Sequence, residues 1–65
     1  MSYEYFVIVD SQGQAGLAAT VRSTVETDPS LKHGSKMFHV RAQNAFQARR
    51  AAISQWTEAG GKSLH

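Results

Sequence analysis

The sequence predicts an α+β fold, a three-stranded antiparallel β-meander with one C-terminal helix packed on one face, in the order β-β-β-α. Three observations predict it. Phe38 to Trp56 (FHVRAQNAFQARRAAISQW) begins with period-two alternation and changes at Asn44 to helical spacing, so a strand feeds directly into an amphipathic helix. The N-terminus is dense in aromatic and β-branched residues, as strands are. Alanines dominate the apolar stripe of the helix, which lets helix and sheet approach closely and bury both apolar sides.

Taken in order, Tyr3 to Val9 forms the first strand. Its faces are Tyr3, Tyr5, Val7, Val9 and Glu4, Phe6, Ile8, Asp10; both carry apolar groups, which predicts a central strand touched on each side. Asp10 to Gly16 is turn chemistry for a hairpin loop. Leu17 to Thr27 alternates as a half-solvated second strand, with Leu17, Ala19, Val21 and Val25 on one face and Thr20, Arg22, Thr24 and Glu26 on the other. Asp28-Pro29 breaks it, since Pro29 has no N–H for a ladder and Asp28 suits a short turn through Ser30 and Leu31. His33 to Lys36 is a polar loop.

Met37 to Ala42 is the third strand, with Phe38, Val40 and Ala42 inward and Met37, His39 and Arg41 outward. Asn44 is an N-cap, and Gln47 stands where a capping box places it. From Ala45 to about Ala59, the residues Ala45, Ala48, Ala52, Ile53, Trp56 and Ala59 form one stripe. Gly60-Gly61 stops the helix, leaving one domain over 1–60 and a loose tail over 61–65. Phe6, Ile8, Phe38, Val40 and Trp56 are expected to supply most of the buried area.

A chain of 65 residues holds one modest core, burying about 60% of its unfolded surface. Burial and ordering entropy nearly cancel at this size, so a partner or a second copy would add stability. There is no cysteine, hence no disulfide and no thiolate zinc site, which fits a cytoplasmic protein. No apolar run approaches the ~20 residues of a membrane span, and MSYEYFVIVD reads as a strand rather than a signal peptide. No membrane association is expected. The net charge is +2, and the seven Lys and Arg residues are scattered except for Arg49-Arg50. That charge permits nucleic-acid contact without demanding it and argues against an acidic DNA mimic.

The constellations of catalysis are missing: no cysteine nucleophile, no paired carboxylates in one motif, no GxSxG. Nothing in the spacing of Ser35, His39 and Asp10 favours a triad. His33 and His39 are too far apart for the usual paired zinc ligands, and His65 ends the chain. A non-enzyme without cofactor or metal is expected. Gly13 to Gly16 has GxxG spacing but joins two strands, so it reads as a hairpin rather than a phosphate clamp. Arg49 falls inside the apolar stripe between Ile53 and Trp56; it either snorkels along the sheet edge, pairs with Glu4 or Asp10, or projects to a partner. Arg50 points outward.

If Phe6 and Ile8 face the helix, Tyr3, Tyr5, Val7 and Val9 face away beside Thr20, Arg22, Met37, His39 and Arg41. Exposed aromatics flanked by arginine are what a binding surface offers; the alternative is an ordinary solvated sheet face.

The stretch VRAQNAFQARRAAISQW resembles a recurring pattern in small bacterial and phage proteins: a strand, then A-x-[S/T/N]-x-x-[E/Q]-A, then a helix ending in Trp. Ala42, Asn44, Gln47, Ala48, Ala52, Ile53 and Trp56 carry it. In this it is similar to small phage-encoded host inhibitors, such as the T7-type inhibitor of bacterial RNA polymerase, and to HicB-like antitoxins. The glycine-rich segment of the latter is absent, and Arg49 and Arg50 replace the acidic residues such inhibitors often display. The β-β-β-α order also resembles plant AP2-type domains and the arm-binding domains of phage-type integrases, whose sheets enter the DNA major groove. That likeness implies Arg22, His39, Arg41 and Tyr5 as reading side chains, on a sheet less basic than in those families.

The reading that results is a non-catalytic protein-binding module, a phage-type regulator or inhibitor of a host protein. It docks through the open sheet face or an edge strand, with Tyr3, Tyr5, Val7, Arg22, His39, Arg41, Arg49 and Arg50 as partner-binding residues. A nucleic-acid-binding module is the alternative, and a homodimer through the same face is a variant.

Overall fold

The computed structural model describes residues 1–59. Strand β1 (Tyr3–Val9) lies at the centre of a three-stranded antiparallel sheet, between β2 (Ala15–Ala19) and β3 (Lys36–Ala42). Helix α2 (Ala45–Glu58) packs across one face and meets all three strands. The α+β class, the antiparallel sheet and the C-terminal helix are as the sequence predicts, and so is the central place of the first strand.

The strand order is β2-β1-β3, not the sequential order of a meander. The cause is the segment expected to extend the second strand to Thr27. It forms β2 only as far as Ala19 and then a short helix α1 (Arg22–Glu26). Ser23 breaks the alternation, while Val21 and Val25, and Arg22 and Glu26, stand four apart, as helical neighbours do. The Arg22 Nε donates to Glu26 Oε2 at 2.7 Å, and Val25 is fully buried. Asp28 then caps a 3-10 turn (Pro29–His33), its Oδ1 accepting from the Ser30 N–H at 2.8 Å and the Ser30 hydroxyl at 2.7 Å. These two bonds hold the Asp28 carboxyl below its usual pKa. The connection carries the chain from one sheet edge to the other. Since α2 occupies one face, α1, which packs on β1 and β2, takes the reverse.

The pairing of β1 with β3 is unbroken from Tyr3↔Ala42 to Val9↔Lys36. It places Tyr5, Val7 and Val9 on the same side as Phe38, Val40 and Ala42, beneath α2. The core is Val7, Val9, Val40, Ala42, Ala48 and Ala52, with Tyr5, Ala15, Ala18, Phe38, Ala51 and Trp56 against it. The face assigned to β1 from sequence is therefore inverted: Phe6 and Ile8 point away from α2. Charge is the physical reason, because Glu4 alternates with Phe6 and Ile8, and seating that face under a helix would bury an unpaired carboxylate. The all-apolar valines also match a helix whose buried residues are Ala48 and Ala52. Ile8 is buried all the same, outside the α2 core, on the central strand against which α1 packs.

Asn44 caps α2 as expected, accepting from Gln47 N–H at 2.9 Å. The returning Gln47 Oε1 accepts from Gln43 N–H at 3.3 Å, one residue earlier than in the usual capping box. Ala59, placed on the stripe from sequence, is exposed at the C-cap. Gly60-Gly61 as helix stop and the tail over 61–65 lie outside the described residues. No described helix is long and apolar enough to cross a membrane.

The β1–β2 loop is closed by Asp10, whose Oδ1 accepts from the N–H groups of Gln12 and Gln14, both at 2.9 Å. Gly13 sits there at φ +83, and a Cβ built on it would lie 2.7 Å from Cζ3 of Trp56. Glycine is needed twice over, for the backbone angle and for the ring of Trp56.

Candidate functional site

The reverse sheet face has two unlike ends. At the Ile8 end, α1 closes over the sheet. At the Glu4 end, the register sets Glu4 opposite Arg41 and Phe6 opposite His39. Antiparallel partners on one face are near neighbours, so these four side chains form one cluster. Glu4 Oε1 lies 3.4 Å from His39 Nε2, and Glu4 Oε2 lies 3.7 Å from Arg41 Nη2. The rings of Phe6 and His39 stack with centroids 4.8 Å apart and planes 9° apart. All four are solvent-accessible, Arg41 most of all, its side chain 76% exposed.

The two edges of the sheet also differ. Strand β2 is five residues long, and its register with β1 slips between Val7 and Val9. Arg49 reaches over from α2 and donates through Nε to the Gly16 carbonyl at 2.9 Å. A short, irregular strand with a carbonyl already capped is a poor template for further pairing. Strand β3 is seven residues long, in regular register, free of proline, and paired with β1 alone. Its outer edge has no backbone partner among the described residues.

Of the residues expected to bind a partner, His39 and Arg41 meet in this cluster. The others are dispersed. Val7 has no exposed surface and Tyr5 is half-buried against the α2-side core, so neither lies on the open face that the sequence predicts for it. Tyr3 lies on the α2 side at the start of β1, 51% exposed. Arg22 is on α1 rather than on a strand, paired with Glu26. Among the described residues Arg49 pairs with no carboxylate; half-buried, it ties helix to strand at Gly16. Arg50 is on the outer surface of α2, its guanidinium carbon 5.9 Å from the centroid of Phe46. The set Arg22, His39, Arg41 and Tyr5 implied by the DNA-binding likeness therefore does not share a face.

Sequence reasoning passed over Glu4 and Phe6 as site residues, and Phe46, which is 66% exposed. The signals were present: Glu4 marks the wet face of β1, and Phe46 falls opposite Ala48 and Ala52 on the helical wheel. No group of three His, Asp or Glu side chains that could hold a metal ion occurs among the described residues. No family model matches the chain, and no curated protein or solved structure matches it.

Proposed function

We propose that the chain is a non-catalytic protein-binding module that docks through the outer edge of β3 and the adjoining Glu4–Phe6–His39–Arg41 end of the reverse face. Its concrete form is a small regulator or inhibitor of a host protein, of the kind that phage-encoded inhibitors represent. One observation carries the reading. A long, regular edge strand lies open beside an accessible aromatic and charged cluster, while the opposite edge is short, irregular and capped.

The test is affinity capture from a host lysate treated with nuclease, using the wild-type chain, Arg41→Glu and, as control, Arg50→Glu. The expected result is one stoichiometric protein, resistant to nuclease, lost with Arg41→Glu and kept with Arg50→Glu. Recovery of nucleic acid alone, with affinity falling steeply as salt rises, would replace this reading with the nucleic-acid one. A captured protein indifferent to Arg41 would place the docking surface elsewhere.

A further inference from the structure

We infer that the β3 edge accepts an extended segment of its partner in which apolar and acidic residues alternate, added beside β3 as a fourth strand. This rests on the docking surface proposed above and names the chemistry of what it takes. A strand laid along β3 satisfies the free backbone edge and sends alternate side chains to the two faces of the sheet. On the α2 side its neighbours are Phe38 and Val40, with Ala42 beyond. Phe38 is only partly buried at the margin of the core, so an apolar residue beside it extends that core by one strand. On the reverse side the neighbours are His39 and Arg41, flanked by Met37.

The charges select the polar half of the pattern. Asp10 and Asp28 spend their carboxylates on loop N–H groups, and Glu26 is paired with Arg22. Among the described residues Glu4 alone reaches His39 and Arg41, and it does so from β1, the inner side. Their outer flank faces the strand position beyond β3, which has no backbone partner among the described residues; Lys36, opposite Val9, adds positive charge to the same edge from the α2 side. Opposite charges directly across a strand pair stabilise it and like charges destabilise it. A second copy of this chain would bring another Arg41 to the reverse side of the seam and another Lys36 to its α2 side, with Glu4 already engaged. The edge therefore discriminates against itself and favours carboxylates.

Two synthetic seven-residue peptides test this, one alternating Val and Glu and one alternating Val and Lys, titrated into the full isotope-labelled chain and followed by amide chemical shifts. The Val/Glu peptide is expected to move the β3 amides and to bind about tenfold tighter than Val/Lys. Arg41→Glu, at an exposed position on the reverse side, should reverse that preference. Methylating the Val/Glu backbone nitrogens on one strand edge should abolish binding, and on the other edge should leave it. Equal binding of both peptides, absence of binding, or shifts confined to Phe46 and Arg50 would overturn the inference. If neither peptide binds yet capture still depends on Arg41, strand addition fails and the docking reading stands. If capture is also indifferent to Arg41, both fail.

Discussion

On one side of the sheet, α2 lays Ala48 and Ala52 onto a core that includes Val7, Val9 and Val40. On the other, the five residues of α1 pack on β1 and β2, Ile8 and Val25 are buried, Phe6 is half-buried, and His39 and Arg41 are exposed. Both faces are made by the same strands, so the difference lies in the length of what covers them. A fourteen-residue helix finishes its face. A five-residue helix finishes half of one, and the unfinished half borders the open edge of β3. The proposed binding surface is what the described residues leave uncovered.

The largest expected effect strikes the finished face. Gly13→Ala forces a side chain into the Trp56 ring and into a left-handed backbone angle. The two penalties sum to about 3 kcal/mol, a large share of the stability of so small a domain. Gly34→Ala has the same backbone problem at φ +97 but meets nothing within 4 Å, so it should cost about 1 kcal/mol. Urea melts of the two variants separate strain from collision.

Val7→Ala and Val25→Ala compare the faces directly. Each side chain is fully buried, so each truncation should cost about 2 kcal/mol in the same melts. A negligible effect at Val25 would mean that α1 does not cover the reverse face, and the comparison would break. Next comes Asn44→Ala, which removes the N-cap of α2 and should cost about 1 kcal/mol.

The smallest effect is a pH dependence at the turn following α1. The Asp28 carboxyl has a lowered pKa in the folded chain because Ser30 donates to it through hydroxyl and backbone. A lowered folded pKa means that its contribution is complete above the unfolded value of about 3.9. It is lost as pH falls through the folded pKa, because the unfolded chain takes up the proton first. Acid titration of thermal stability should therefore be shallower in Asp28→Asn than in the wild type. Identical curves would show that the turn holds α1 by other means.

How much of this was legible follows from where the alternation is one-sided. Phe38, Val40 and Ala42 alternate with His39 and Arg41, so the inward face of β3 could be read without ambiguity, as could the Asn44 cap and the alanine stripe. In β1 both faces are apolar, and the decision rested on Glu4, a single charge whose weight is visible only once a helix must be seated on one side. The second strand failed because Val21 and Val25 satisfy either a period of two or a period of four, and five residues are too few to separate them. The site inherited both ambiguities. His39 and Arg41 were legible because β3 was; Tyr5 and Val7 were misplaced because β1 was inverted. Gly13 as a seat for Trp56, and Arg49 as a cap on Gly16, join residues far apart in sequence, and no local pattern announces them.

Amide hydrogen exchange along β3 in the free protein tests the central claim most directly, because it asks whether that edge is open. The account predicts alternation: amides directed toward β1 exchange slowly and those on the outer edge exchange fast, while β1 is protected throughout. Uniform protection along β3 would contradict it, since the outer edge would then already be covered.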